Sequence, residues 1–91
     1  MSHLLSTVGQ VFVLIAAAPD ARVREIAMQL GVTERTVMHA LTHLSDAGLV
    51  TVRRQGRRNT YAVAEDGTVK AGPVVIELAE IVRLARGAFP D

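Results

Sequence analysis

The stretch REIAMQLGVTERTVMHALTHL, residues 24–44, reads as two short helices joined at a glycine. In its first part, Ile26, Ala27 and Leu30 fall on one face at helical spacing. Gly31 then ends the helix, because glycine adopts the left-handed backbone conformation without steric strain. Thr33 is a good N-cap for a second helix over residues 34–47. Two short helices joined by a tight glycine turn form a helix-turn-helix, which we predict for residues 24–47.

The spacing of three small or apolar residues supports this prediction. Ala27 is small enough for the two helices to cross closely, and Gly31, four residues later, makes the turn. Val37, six residues further on, packs the second helix back onto Ala27. Each position holds the type of residue that the geometry of the motif requires.

Residues 49–64 change to the period of strands. Leu49 to Arg54 and Arg58 to Ala64 predict an antiparallel hairpin that turns at Gln55-Gly56-Arg57, with four arginines around its tip. A first helix is predicted to end near Ala18, inside an N-terminal segment 1–20, and to be capped by Ser6 or Ser2. Residues 21–23 fit either a brief strand or the start of the next helix. Residues 65–72 are turn-rich, and Pro73 suits the first position of a last helix over 73–87.

This order of elements is that of a winged helix-turn-helix. The predicted fold class is therefore mainly α with a small β-hairpin, and the 91 residues suffice for one domain, 1–91, and not for two. Nearly half of the residues (49%) are hydrophobic, which suggests burial against a second copy in so small a domain.

Composition narrows the possible functions. The chain has no cysteine, which excludes disulfides, thiolate zinc sites and cysteine nucleophiles. The longest apolar run, residues 11–18, is far shorter than the about 20 residues that span a bilayer. We therefore expect a cytoplasmic protein. Residues 22–62 hold seven arginines against three acidic residues, a net charge of +4, within a chain whose net charge is +1. A basic middle suggests an anionic partner, although an ordinary solvated surface also fits this charge distribution.

Residues 24–63, REIAMQLGVTERTVMHALTHLSDAGLVTVRRQGRRNTYAV, resemble the winged-helix transcriptional regulators of the ArsR/MarR type, and most of all small MarR-like proteins with a GRRN-x-Y wing. The hallmarks are the helix-turn-helix, the HLSDAGLV segment that leads into the wing, and GRRNTY in the wing. Thr60 stands where a larger basic residue is expected. The resemblance implies a DNA-binding regulator of transcription, which we expect to act as a repressor. Winged helices also mediate protein contacts, so a protein-binding module without DNA binding stays an alternative.

A helical wheel of residues 33–46 separates a core side from an outer side. Thr33, Ala40, Leu41 and Leu44 cluster around Val37. The N-terminal part of the second helix of such a motif enters the major groove. We expect bases to be read by Arg35, Met38 and His39, with Thr42 and His43 nearer to phosphates. Thr33 and Thr36, at the start of the helix, complete this part of the predicted DNA-binding set.

The arginines of the hairpin are the second predicted DNA contact. In a wing, Arg53, Arg54, Arg57 and Arg58 can contact phosphates or enter the minor groove, where the negative potential attracts arginine. The alternative role is to protect the edge of the hairpin against aggregation. We favour DNA contact because a helix-turn-helix precedes the hairpin, and we expect Asn59 and Tyr61 to hold the hairpin and the core.

His39 and His43, four residues apart, are also spaced to bind one metal ion. A site needs further ligands, and the sequence offers no cysteine and one other histidine, His3. We therefore predict no metal and no cofactor, and a metal-responsive sensor is the weaker alternative. Enzymatic activity finds no support either, since the sequence contains no P-loop, no GxGxxG and no Ser/His/Asp arrangement.

The terminal helices are apolar around much of their circumference. In ArsR/MarR-type proteins such helices form the dimer interface, and the resemblance implies a homodimer that binds a near-palindromic site on double-stranded DNA. The corresponding interface residues are Val11, Phe12, Ile15, Leu78, Ile81, Val82 and Ala85.

Overall fold

The first helix, α1, spans Thr7–Ala17 in a computed structural model that describes residues 4–88 of the chain. Ser6 is its N-cap, and the Ser6 Oγ accepts a hydrogen bond of 3.2 Å from the backbone N–H of Gly9. One of the two predicted caps is thereby confirmed, and the other, Ser2, lies outside the described residues. The helix buries Val11, Phe12, Ile15 and Ala16.

The helix-turn-helix is confirmed, with boundaries shifted by one residue. Helix α2 spans Val23–Leu30 and helix α3 spans Glu34–Asp46. Residues 21–23 therefore do not form a strand, because the helix begins at Val23. Gly31 has a φ of +69° and its N–H caps the end of α2. Val37 is fully buried and Ala27 is nearly so. This burial agrees with the close crossing of α2 and α3 that the spacing of the two residues predicted.

The wing is the antiparallel pair of β1, Val50–Gln55, and β2, Arg58–Val63. Gln55 pairs with Arg58, so the loop consists of Gly56 and Arg57. Gly56 has a φ of +63°, and no non-glycine residue between 4 and 88 has a positive φ. A positive φ at the first loop residue alone fits a type II′ turn, whose twist matches the twist of the two strands. The predicted hairpin is confirmed.

The predicted start of the last helix at Pro73 is wrong. Residues 68–77 form a second antiparallel hairpin, with β3 at Thr68–Ala71 and β4 at Val74–Glu77, and helix α4 begins only at Leu78 and runs to Ala88. The physical reason is the run Val74-Val75-Ile76, because side chains branched at Cβ favour strands over helices. Pro73 fits this arrangement too, since proline is accepted as the residue that precedes or begins a strand.

A single aliphatic core joins these elements. Helix α1 packs against both α3 and α4, and β2 packs against α1. Core side chains come from every helix and from the wing, where Val50 and Tyr61 are buried. The Nε of Arg86, on α4, donates a hydrogen bond of 3.4 Å to the carbonyl oxygen of Ala16, at the end of α1. No helix within residues 4–88 is long and apolar enough to cross a membrane.

The core also contains the residues that we predicted for a dimer interface, and this part of the prediction has to be revised. Six of the seven are buried in the core of a single chain: Val11, Phe12, Ile15, Leu78, Val82 and Ala85. The seventh, Ile81, is partly buried and packs against this core. The reason is that α1 and α4 cover each other's apolar faces. The exposed large apolar side chains of the C-terminal part are instead Val74, Val75, Ile76 and Leu84.

Candidate nucleic-acid interface

Helix α3 presents a polar outer side above its buried side. Val37, Ala40, Leu41 and Leu44 are buried, whereas Arg35, Met38, His39, Thr42 and His43 are exposed. Thr33, which the wheel placed with the core, is exposed because it lies before the helix and caps it. At the other positions, the residues predicted for the core side of the helix are buried and those predicted for its outer side are exposed.

The start of α3 is held by two threonines. The Thr33 Oγ1 accepts a hydrogen bond of 3.1 Å from the backbone N–H of Thr36 and lies 2.9 Å from the Thr36 Oγ1. Thr36 itself is half-buried. The Thr33 hydroxyl satisfies one of the free N–H groups of the first turn, so it stabilises the start of the helix.

The wing lies along one flank of α3. A groove that we call the wing groove opens between α3, the start of α2 and the wing, and its lining consists of Arg22, Val23, Met38, Arg57, Arg58, Asn59 and Tyr61. Further along α3 a smaller depression continues between Thr42 and Val52. The outer side of α3 and the tip of the wing therefore border one concave surface.

The four arginines of the wing do not all point the same way. Alternate side chains of a strand face opposite sides of the sheet. Val52 pairs with Tyr61 and Arg54 with Asn59, and the buried Tyr61 marks this as the side that faces the core and α3. Arg53 pairs with Thr60 on the other side. Arg57 is at the tip of the wing.

Arg58 has a structural contact that its sequence position did not reveal. Its Nη2 donates a hydrogen bond of 2.7 Å to the carbonyl oxygen of Asp20, in the loop before α2. The Nε of Arg54 similarly donates to the carbonyl oxygen of Gly56, at 3.2 Å, within the wing. Both contacts leave the side chains exposed, and Arg58 lines the wing groove.

Arg22 was missed as a candidate site residue. It was counted in the basic middle of the chain, but it lies at the N-cap position of α2 and lines the wing groove with Arg57 and Arg58. Among residues 4–88, none of these three arginines forms an ion pair with a carboxylate. The groove therefore presents three guanidinium groups to whatever binds there. The signal in the sequence was the basic residue just before the helix-turn-helix.

The two histidines of α3 lie in different surroundings. His39 is exposed on the outer side of the helix. His43 is on the flank away from the wing, where it borders an apolar groove lined by residues such as Phe12 and Leu78. Within residues 4–88, no group of three or more His, Asp or Glu side chains could hold a metal ion.

Comparison with known proteins gives one match. Residues 21–58 match the family model described as bacterial regulatory proteins, gntR family. The matched segment contains the whole helix-turn-helix and the first strand of the wing. No curated protein and no solved structure matches the chain. The match supports a DNA-binding transcriptional regulator with a winged helix-turn-helix. The narrower resemblance to ArsR/MarR-type regulators stays a prediction.

Proposed function

We propose that the chain is a sequence-specific repressor that binds a near-palindromic DNA site as a homodimer. The observation that carries this proposal is the concave surface between α3 and the wing, with an exposed Arg35 on the helix and three guanidinium groups in the wing groove. Its charge fits the phosphate backbone, which dominates the affinity of proteins for DNA. Its shape lets α3 enter the major groove while the wing lies beside it.

The residues have different roles in this proposal. Arg35, Met38 and His39 are the base readers, because they are exposed on the N-terminal half of α3. Thr42 lies further along the same side, towards the phosphates. Thr33 and Thr36 hold the start of the helix. Arg53, Arg54, Arg57 and Arg58 contact phosphates or the minor groove from the wing, and Arg22 joins them from the start of α2. His43 is the weakest member, because its flank faces away from the wing groove.

The chain binds as a homodimer in this proposal because a near-palindromic site has two half-sites, and each half-site needs its own recognition helix. Two recognition helices that are related by a two-fold axis read two half-sites about one turn of DNA, ~34 Å, apart. The exposed apolar side chains on β4 and α4 are available for contacts between copies. Occupation of a promoter by such a dimer blocks transcription without any further activity of the bound protein, which is why we propose repression.

The salt dependence of DNA binding tests the proposal. We expect the logarithm of the affinity to fall steeply with the logarithm of the salt concentration, with a slope of about −0.9 for each phosphate neutralised. Arg57→Ala should reduce the magnitude of this slope by about 1. Arg83→Ala is the matched control, because Arg83 carries the same charge on α4, where it pairs with Glu80.

Two results would contradict the proposal. Absence of DNA binding at low salt would favour the alternative that the winged helix binds a protein. An Arg83→Ala variant that lowers the slope as much as Arg57→Ala would show that net charge, and not the wing, governs binding. Selection of bound fragments from the source genome then identifies the site, and a reporter placed behind that site distinguishes repression from activation.

A further inference from the structure

Strand β4 is the most exposed apolar segment of the C-terminal part. Val74, Val75 and Ile76 are 55%, 54% and 41% exposed, although they are consecutive and none is polar. β4 pairs only with β3 in a two-stranded sheet, within the part of the chain that the structure describes. Its other edge therefore offers unpaired backbone N–H and C=O groups to solvent, and such edges pair readily with another strand.

The hairpin is also short for a sheet that stands alone. Each strand has four residues, and isolated two-stranded hairpins are marginally stable in water. The partly buried Val69 packs against the core, and a hydrogen bond of 3.0 Å from the N–H of Leu78 to the carbonyl oxygen of Gly67 joins the two open ends of the hairpin. Natural proteins commonly protect an exposed edge with charged residues, but residues 74–76 carry none.

We propose that β4 pairs antiparallel with β4 of a second copy, which joins the two hairpins into one four-stranded sheet with a two-fold axis at Val75. This inference deepens the proposed function, since it assigns the surface through which the DNA-binding dimer forms. A strand that pairs antiparallel with itself presents the same surface on both copies, as a two-fold dimer requires.

The register of the hairpin makes this pairing self-complementary. With the axis at Val75, Val74 lies opposite Ile76 of the second copy, and Glu77 lies opposite Pro73 of the second copy. Because Val69 pairs with Ile76 and Ala71 with Val74 within each hairpin, two continuous rows of apolar side chains run across the four strands on one face. This is the face of Val69, which packs towards the core.

The charged residues do not oppose this arrangement. Lys70 pairs with Val75 within the hairpin, so the two lysines of a dimer lie on the outer strands, separated by three strand spacings, about 14 Å. This distance exceeds the Debye length of about 8 Å at physiological salt, so their repulsion is largely screened.

Disulfide trapping tests the register directly, because the chain has no cysteine of its own. In a Val75→Cys variant the two cysteines lie opposite each other, with Cα atoms about 4.5–5.5 Å apart, within the range that a disulfide bridges. We expect mild oxidation to produce a covalent dimer on a non-reducing gel. Met28→Cys is the matched control, since Met28 is 72% exposed on α2, and Leu84→Cys probes a dimer through the exposed side of α4.

The proposal is overturned if Val75→Cys crosslinks no faster than Met28→Cys, or if Leu84→Cys crosslinks faster than Val75→Cys. It is also overturned if the unaltered chain sediments as a monomer at every concentration, in which case the edge is free for the strand of another protein. A second variant, Val75→Lys, places two lysines directly opposite each other at the axis. We expect it to sediment as a monomer with an unchanged circular dichroism spectrum, while Met28→Lys stays dimeric.

The failure of this inference can be distinguished from the failure of the proposed function. Loss of the dimer in Val75→Lys should lower the affinity for a two-half-site operator by roughly 10²–10⁴-fold, because binding of the second half-site is no longer intramolecular. The affinity for a single half-site should not change. A chain that crosslinks through Val75→Cys but binds no DNA at low salt would retain the strand pairing and refute the proposed function.

Discussion

The guanidinium group of Arg58 is hydrogen-bonded to the carbonyl oxygen of Asp20, across 38 residues of sequence, at a distance of 2.7 Å. This contact ties the start of the second wing strand to the loop that leads into the helix-turn-helix. The wing is therefore anchored on the side of α2 as well as through the buried Tyr61 in its own strand. Two neighbouring arginines, Arg57 and Arg58, consequently differ in what they do.

We expect Arg58→Ala to lower the free energy of unfolding by about 1 kcal/mol, the usual net contribution of a hydrogen bond. Arg57→Ala should change it by much less, because no hydrogen bond of Arg57 holds the wing within residues 4–88. Urea unfolding of the two variants measures the difference. Equal stabilities would show that the contact between Arg58 and Asp20 does not hold the wing.

Arg35 should determine specificity through its shape and not only its charge. Arg35→Lys keeps the positive charge but loses the planar pair of donors that matches guanine. We expect the salt dependence of binding to stay unchanged, while discrimination at one base pair falls by about 1–3 kcal/mol. Binding to operators with single base changes measures this effect. A uniform loss of affinity across all these operators would assign Arg35 to a phosphate contact instead.

Two glycines should respond to alanine in opposite directions. Gly31 has a φ of +69°, and open space surrounds the position of an added Cβ, so the cost of Gly31→Ala comes from the backbone alone. It should destabilise the chain by about 1–2 kcal/mol. Gly9 lies within α1, where an added Cβ would meet the Leu5 Cβ at an ordinary 3.5 Å. Gly9→Ala should therefore stabilise the chain by up to about 1 kcal/mol. Urea unfolding measures both, and the same sign in both variants would refute the argument.

DNA binding should not depend on a divalent metal. His39 and His43 share a face of α3, but His43 borders the apolar groove, and no third ligand joins them within residues 4–88. We expect the affinity for DNA to be the same in zinc and in a chelator. A reproducible change in a chelator that disappears in His39→Ala would identify a metal site after all.

The helix-turn-helix could be predicted from the sequence because its requirements are local. A small residue, a glycine with a positive φ and an apolar residue must follow one another at fixed spacing, and Ala27, Gly31 and Val37 meet these requirements. Gly56 similarly marked the turn of the wing, although Gln55, which was predicted in the turn, belongs to β1.

The second hairpin could not be read in the same way. Residues 73–77 are short and apolar, and Pro73 suits the beginning of a helix as well as that of a strand. A run of this length cannot be assigned by its periodicity, and the helical pattern that begins at Leu78 is compatible with an earlier start of the helix. The preference of three consecutive residues branched at Cβ was the signal that should have decided the assignment.

The residues expected at a dimer interface show a second reason why prediction from the sequence fails. Val11 and Val82 are apolar whether they meet the chain's own core or a second copy, and the spacing of such residues does not distinguish the two. The answer depends on how α1 and α4 pair in space. The position of Arg22 beside Arg58 could not be predicted either, because their shared groove forms only when the wing folds back towards α2.

The pairing of α1 with α4 also affects how the chain folds during its synthesis. The contacts of the helix-turn-helix and of the wing lie close together in sequence and can form as soon as those segments leave the ribosome, whereas α1 completes its packing only when the last described helix, α4, is present. Until α4 emerges, the part of α1 that α4 covers stays open to solvent and to chaperones. Nascent chains stalled before residue 78 should therefore bind chaperones more than chains that are complete to residue 88.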